Sequence, residues 1–337
     1  MSEAVYRVLQ IGQETTFGTS VPATSIYPCE PGSGEFELDR SIESPDEDYG
    51  MSVRHQAGRG QNGIRAATGS INSMARFEDL GQILKSAISA PTYTGAGPYT
   101  QTFTGNTVTD DTKSQTIEVN EDTQDWDVVS AVCTGFSIGF DALTVPGNAP
   151  WNMTSDWMAV DKEKSTATPA LSAPTVLETI EGQFTTLSEG SVATAFGSLA
   201  ELAAHLVQFR LNVTDGKPFR IYGAATGDKA TGRGRTKRET GFEALLKISA
   251  SSITNVYDIF NVAGGLPTDR RWRVRATGSG AKTFTIDGRV RFTSVNVNPD
   301  GRDSERLLAV AGYYVYDSTL ASDLQAVIAG VANATLP

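Results

Sequence analysis

Apolar residues recur at every second position in several stretches of the chain, and that period predicts β-strands. Phe36 and Leu38 alternate with charge. Gln115, Ile117 and Val119 share one face of the run Ser114 to Val119, and Phe136, Ile138 and Phe140 share one face of Val132 to Leu143. The clearest case is Thr283 to Val297. There Phe284, Ile286, Val290 and Phe292 lie on one side before the apolar face jumps to Val295 and Val297. One extra residue near Thr293 accounts for the jump, so a β-bulge is expected there. Alternation that leaves one face polar reads as half-buried antiparallel strands. Three segments keep the helical period instead. Phe77, Leu80, Ile83, Leu84 and Ile88 predict a helix over Arg76 to Ile88, closed by Pro91, and Ile253 to Val262 predicts a second. Leu320, Leu324, Val327, Ile328 and Val331 predict a short amphipathic helix at the C-terminal end.

These elements occur twice in the same order. Phe36-Glu37-Leu38-Asp39, a loop with Gly58-Arg59-Gly60, a strand-like run ending at Ala75 and the first helix form one phrase. Phe209-Arg210-Leu211-Asn212, a loop with Gly232-Arg233-Gly234, a run ending at Ala250 and the second helix form its counterpart. The landmarks keep step at 209 − 36 = 173, 232 − 58 = 174 and 250 − 75 = 175 positions. Further on, Phe136-Ser137-Ile138-Gly139 answers Phe292-Thr293-Ser294-Val295 at the shorter offset 292 − 136 = 156. Two tandem copies of one fold are the economical reading. The expected organisation is an extended N-terminal arm over 1–35, a first β domain over 36–164, a Pro- and Thr-rich linker over 165–176, a second β domain over 177–317, and a C-terminal helix and tail over 318–337. Gly12, Gly18, Pro22, Pro28, Pro31, Gly32 and Gly34 are the breakers that mark the arm. The loop after the first phrase and its counterpart, Thr214 to Thr240, are too long for simple connections and are candidate contact arms.

A chain of 337 residues has room for two such domains, each with its own core. Its formal charge of −11 argues against a surface that grips nucleic acid, since that affinity comes largely from cations displacing counterions from phosphate. The charge is uneven. Residues 1–170 hold 10 Lys and Arg against 23 Asp and Glu, and residues 171–337 hold 18 against 16. Unlike copies would therefore attract side by side. The acidic residues Glu118, Glu121, Asp122 and Asp125, set against the arginine stripe Arg271, Arg273, Arg275, Arg289 and Arg291, are the candidates for pairing between domains. Asp46, Glu47, Asp48, Arg54, Arg59 and Arg65 on the first loop, with Arg233, Arg235, Lys237 and Arg238 on the second, are candidates for contact between subunits or rings. No apolar run reaches membrane-span length, and Met1 to Gly12, with Glu3 and Arg7, lacks the apolar core of a signal peptide. The expectation is a protein made in the cytoplasm, with no membrane, and with Cys29 and Cys133 as reduced thiols, a single bond between the two being the alternative.

No active site is expected, nor any cofactor or metal. Gly58-Arg59-Gly60-Gln61-Asn62-Gly63 matches the dinucleotide fingerprint in letters, but no hydrophobic strand leads into it and no helix starts from it. His55 and His205 are the only histidines, and neither has neighbours at metal-ligand spacing. Trp126, Trp151, Trp157 and Trp272 are too scattered to form a platform for sugar.

Three groups of residues resemble the tail tube (major tail) proteins of long-tailed bacteriophages. The first is Gly12-Gln13-Glu14-Thr15-Thr16-Phe17-Gly18-Thr19 followed by Pro28-Cys29-Glu30-Pro31-Gly32-Ser33-Gly34. The second is Gly69-Ser70-Ile71 leading into the Phe77 to Ile88 helix, and the third is Ser114 to Val119 before Gly135-Phe136-Ser137-Ile138. The resemblance implies a mainly β protein with tube-type sandwich or barrel domains, each with a flanking helix, that forms a closed ring of β-sheet on oligomerisation. It implies rings of six domains stacked into a hollow tail, with tape measure protein and DNA passing through the lumen and tail terminator and distal tail proteins at the ends. The doubling departs from that pattern: three chains would supply six domains, a trimeric ring with pseudo-sixfold symmetry, where a hexamer is the alternative. Localisation in the virion tail follows. The competing expectation is another virion component, a capsid decoration or tail-terminator protein.

Overall fold

The computed structural model describes residues 8–43, 61–105, 114–121, 124–143, 149–169, 171, 177–202, 206–215, 219–220, 232–233, 238–261, 267–298 and 306–332. The protein is mainly β, and eighteen strands join in one large antiparallel sheet that is not closed into a barrel. The first half supplies β1 (Val8–Gln13), β2 (Ser25–Tyr27), β3 (Phe36–Glu43), β4 (Gln61–Met74), helix α1 (Leu80–Ala87), β5 (Thr92–Thr94), β6 (Tyr99–Thr104), β7 (Gln115–Asn120), β8 (Asp125–Asp141), β9 (Asn152–Ala159) and β10 (Asp161–Ser165). The second supplies β11 (Thr185–Ser191), β12 (Ala200–Glu201), β13 (Leu206–Asp215), the separate short pair β14 (Phe219–Arg220) and β15 (Gly232–Arg233), and β16 (Arg238–Lys247). A helical run over 250–260 follows, then β17 (Arg270–Thr277), β18 (Thr283–Asn298), β19 (Leu307–Val315) and β20 (Leu324–Val331).

The two long strands organise everything else. The first part of β8 lies between β7 and β10, and its second part lies between β9 and β13. β18 runs first between β17 and β20 and then beside β19. Adding the remaining ladders gives β3-β4-β9-β8 in the first half and β13-β16-β19-β18 in the second, with β2-β1-β7-β8-β10 matched by β12-β11-β17-β18-β20. The strand order along the chain and across the sheet is the same in both halves. Only the β5–β6 hairpin has no counterpart in the second half, and β6 pairs with β20.

Both long strands carry a bulge. Phe292 pairs with Gly312 and Ser294 with Ala311, so Thr293 is the extra residue that the jump in apolar face predicts. Cys133 pairs with Trp157 and Gly135 with Asp156, so Thr134 is extra in β8. Superposing the bulges sets the offset at 293 − 134 = 159, which puts Cys133 on Phe292, Phe136 on Val295 and Ile138 on Val297. The offset of 156 read from the Phe136 and Phe292 segments is corrected accordingly: a phenylalanine stands before one bulge and after the other.

The C-terminal segment is a strand, not a helix. Leu324, Ala326 and Ile328 alternate as fully buried positions in β20, and the i, i+4 spacing that predicts a helix arises because Val327 on the other face is apolar too. Within 1–35, expected as an arm, β1 buries Leu9 and Ile11 and pairs with β7, so the surface under this segment is the chain's own. Helix α1 starts at Leu80 rather than Arg76, and the second helical run contains a π-turn over Ile253–Tyr257. Ala167 and Thr168, at the start of the expected linker, are tied down by hydrogen bonds to Asp125 and Glu118.

One core serves both halves. Trp151, fully buried, lies 5.4 Å from Phe140, 5.8 Å from Phe209 and 5.7 Å from Phe284 between ring centroids, and its indole N–H donates to Thr185 Oγ1 at 3.1 Å. A second aromatic group, Phe242, Trp272, Phe292 and Tyr314, fills the second half. Cys29 and Cys133 are not joined to each other.

Candidate assembly interface

The joint between the halves is a strand pairing. β8 and β13 run antiparallel from Gly135 opposite Thr214 to Asp141 opposite Gln208. Phe140 faces Phe209, Ile138 faces Leu211 and Phe136 faces Val213, and all six side chains are buried. The backbones come very close at Gly139, where a Cβ would stand 2.1 Å from the Phe209 carbonyl oxygen. On the opposite face the Arg210 Nε–H donates to Ser137 Oγ at 2.9 Å. The two sides of this joint are thus an outer strand of one strand set and the bulged strand of the other.

The counterparts of those two sides are open. Among the described residues β3 pairs with β4 alone, and β18 beyond Val290 pairs with β19 alone. An open edge presents unpaired N–H and C=O groups, a template for another strand. On these edges Leu38 and Val297 are 42% and 43% exposed, although both continue the apolar faces of their strands.

The arginine stripe finds its carboxylates within its own half. Arg271 is buried and makes a two-pronged contact with Asp317, Nε to Oδ2 at 2.8 Å and Nη2 to Oδ1 at 2.9 Å, and stands 4.8 Å over the Phe196 ring. Arg273 makes the same kind of contact with its cross-strand neighbour Asp287, at 2.7 and 2.8 Å. Arg289 and Arg291 share Asp269. Burial raises the Asp269 carboxyl, and hydrogen bonds from Arg291 and Arg289 outweigh it and hold it below the usual carboxylate range. Asp317 is likewise pulled down by Arg271 against the effect of burial. Arg275 is exposed on β17.

On the acidic side, Glu118 is buried and accepts from the Ala23 and Thr168 N–H groups and the Thr168 hydroxyl, which fastens the 8–27 segment and the start of the linker to β7. Asp125 accepts from the Ala167 N–H and Glu121 is half-buried, while Asp122 lies outside the described residues. Within one chain the expected pairing of this cluster with the arginine stripe does not occur among the described residues. The partners Asp269, Asp287 and Asp317 were not among the sequence candidates. The tight turn that sets Thr277 opposite Thr283 gives the Arg273–Asp287 register directly, whereas Asp317 comes from a distant turn with no such signal.

Of the loop candidates, Asp46, Glu47, Asp48, Arg54, Arg59, Arg235 and Lys237 lie outside the described residues, as do His55 and His205. Arg65 is in β4 and Arg233 in β15. Arg238 is committed to Asp323, beside a cleft of about 700 Å³ that Tyr313, Tyr316 and Glu239 also line. The Gly58–Gly63 match to a dinucleotide fingerprint runs into β4 at Gln61, so a strand and not a helix follows it. Among the described residues no group of three His, Cys, Asp or Glu could hold a metal ion, and Trp151, Trp157 and Trp272 are all core residues. Trp126 is half-buried beneath the Lys162 ammonium, 4.8 Å from its ring. No helix among the described residues is long and apolar enough to cross a membrane. No protein-family model matches the chain, and no curated protein matches it.

Proposed function

We propose that the chain is a structural virion protein that polymerises as stacked rings into the tail tube of a long-tailed bacteriophage, the conduit for genome ejection. One observation supports this most: two strand sets of the same order are joined edge to edge within the chain, and the counterparts of the two joined edges, on β3 and on β18 beyond Val290, have no further strand beside them among the described residues. A body built this way can add further bodies through the same contact. Such head-to-tail addition closes into a ring when the rotation divides the circle, and closure pairs the β3 and β18 edges. Each strand set is then one tube-type domain with its flanking helix, and three chains supply six of them. The net charge of −11 suits a pipe for DNA, because a surface without excess cations does not hold phosphate by counterion release.

Electron microscopy of the purified protein tests the reading. Hollow filaments whose cross-section contains three chains are the expected result. A six-chain ring would mean that only one strand set of each chain lines the channel. Discrete particles without open-ended growth would favour a capsid decoration or tail-terminator role, and a solitary monomer would sink the proposal.

A further inference from the structure

We infer that the open edge of β3 receives the open second part of β18 from another copy of this chain, in an antiparallel pairing that repeats the β8–β13 joint. The inference deepens the assembly reading and rests on it for the ring that results. The partner is argued from the molecule itself. β3 holds the place of β13 in its strand set, outside β4 as β13 lies outside β16, and β18 holds the place of β8, with its bulge beside β19 as β8 has one beside β9. The shared landmarks place the contact: Leu38 stands in the Phe-x-Leu segment where Leu211 does, and Val297 stands after its bulge where Ile138 does. Ile138 and Leu211 face each other at 0% and 1% exposure, whereas Val297 and Leu38 are left at 43% and 42%. Two large apolar side chains are therefore exposed where a repeat of the joint would cover them.

Two of the devices that keep strands apart are missing from these edges, although β3 carries Glu37, Asp39, Arg40 and Glu43 and the open part of β18 carries the Thr293 bulge. Neither β3 nor the second part of β18 contains a proline or a lysine, the residues that commonly blunt a free edge. β10 provides an internal control: it occupies the place that β20 occupies in the second set, has no strand on its outer side among the described residues, and carries Lys162, Glu163 and Lys164. In the proposed register Glu37 and Asp39 of β3 come opposite Asn298 and Asn296 of β18, so no like charges meet across the pairing.

The test uses the full chain with Leu38→Lys or Val297→Lys, both at exposed positions, and reads molecular mass by sedimentation. Tyr316→Lys, at a 62% exposed position just past the end of β19 and in neither edge strand, serves as the control. Each edge variant alone is expected to lose the multi-chain species while keeping the wild-type circular dichroism spectrum, and the control to keep them. Mixing the two edge variants is expected to give two-chain complexes and nothing larger, since the mixture holds one usable β3 edge and one usable β18 edge per pair. Wild-type assembly by either edge variant, or a mixture that stays monomeric, would overturn the inference. Filaments that form equally well from both variants would do so while leaving the tube reading standing. Chains that pair as described but never stack would instead sink the tube reading alone.

Discussion

Asp79 gives the sharpest quantitative test of the fold. It precedes α1 with its carboxyl almost completely buried, Oδ1 has no hydrogen-bond partner, and Oδ2 is 3.3 Å from Arg76 Nη1. Burial raises its pKa from the ordinary 3.8 to about 7, against the opposing pull of Arg76; Glu78 nearby adds to the rise. The sign of the linkage follows. Below the unfolded value both states hold the proton and Asp79 has no effect. As pH rises from about 4 to about 7 the unfolded chain releases its proton while the folded chain keeps it, so stability falls across that window and levels off above it. Each pH unit of the window is worth about 1.4 kcal/mol, which makes the total loss about 4 kcal/mol at most. Asp79→Asn keeps the shape of the protonated side chain and removes the titration. Its melting temperature should match the wild type near pH 4 and exceed it by roughly 5 °C at pH 8, given a typical unfolding entropy per residue over a chain of this size. Scanning calorimetry of both proteins at one concentration from pH 4 to 8 measures the difference. A constant gap between variant and wild type across that range would refute the argument.

Three further outcomes are expected. Arg271→Ala strands the buried Asp317 carboxylate, and because breaking one side of a buried pair costs roughly 3–5 kcal/mol, denaturant unfolding should show a loss of that order. Gly139→Ala forces a Cβ against the Phe209 carbonyl, so hydrogen exchange should quicken over 206–215 while β10 and β17 keep their protection; unchanged exchange in β13 would show that the joint tolerates spreading. Deleting residues 46–58 removes most of the first long loop, and the purified variant should form single rings or free chains under conditions where the wild type grows filaments, as scored by microscopy.

Much of the fold is legible in the sequence wherever apolar residues alternate with polar ones, even where both faces are buried, as at Thr116 and Glu118 beside Ile117. The strands around Phe36, Ile117, Phe136 and Phe284 and the bulge at Thr293 follow from period-two patterning, because a polar opposite face makes the alternation visible. β20 escapes the same reading: Val327, on the face opposite Leu324, Ala326 and Ile328, and the register shift before Val331 blur the alternation, and a two-faced apolar run carries no unique period. β1 is hidden for another reason, since the glycines and prolines that surround it mark turns between short strands as readily as they mark an arm. The duplication is readable from the Phe-x-Leu phrases and the glycine loops, but its second offset is not, because the bulges and not the phenylalanines are the equivalent points. The open edges could not be read at all. Which strand lies outermost depends on pairing between residues more than 100 positions apart, as where β1 meets β7 with Ile11 opposite Ile117, or β20 meets β6 with Gln325 opposite Thr104.

Charge enters assembly differently from what the composition implies. The halves differ widely in net charge, and on composition alone unlike copies should attract through their flanks. In the fold, however, Arg271, Arg273, Arg289 and Arg291 already face Asp317, Asp287 and Asp269, and Arg238 and Arg270 face Asp323 and Glu189. Those six arginines are paired in place and are not free to reach an acidic neighbour. The remaining contributions at the open edges are backbone hydrogen bonds and the Leu38 and Val297 side chains, and neither is screened by salt. Lateral association should therefore survive a rise from about 0.1 M to about 1 M sodium chloride, over which the screening length falls from about 10 Å to about 3 Å. Sedimentation across that range measures it. Dissociation into single chains at high salt would show that flank charges, and not the strand edges, hold neighbouring copies together.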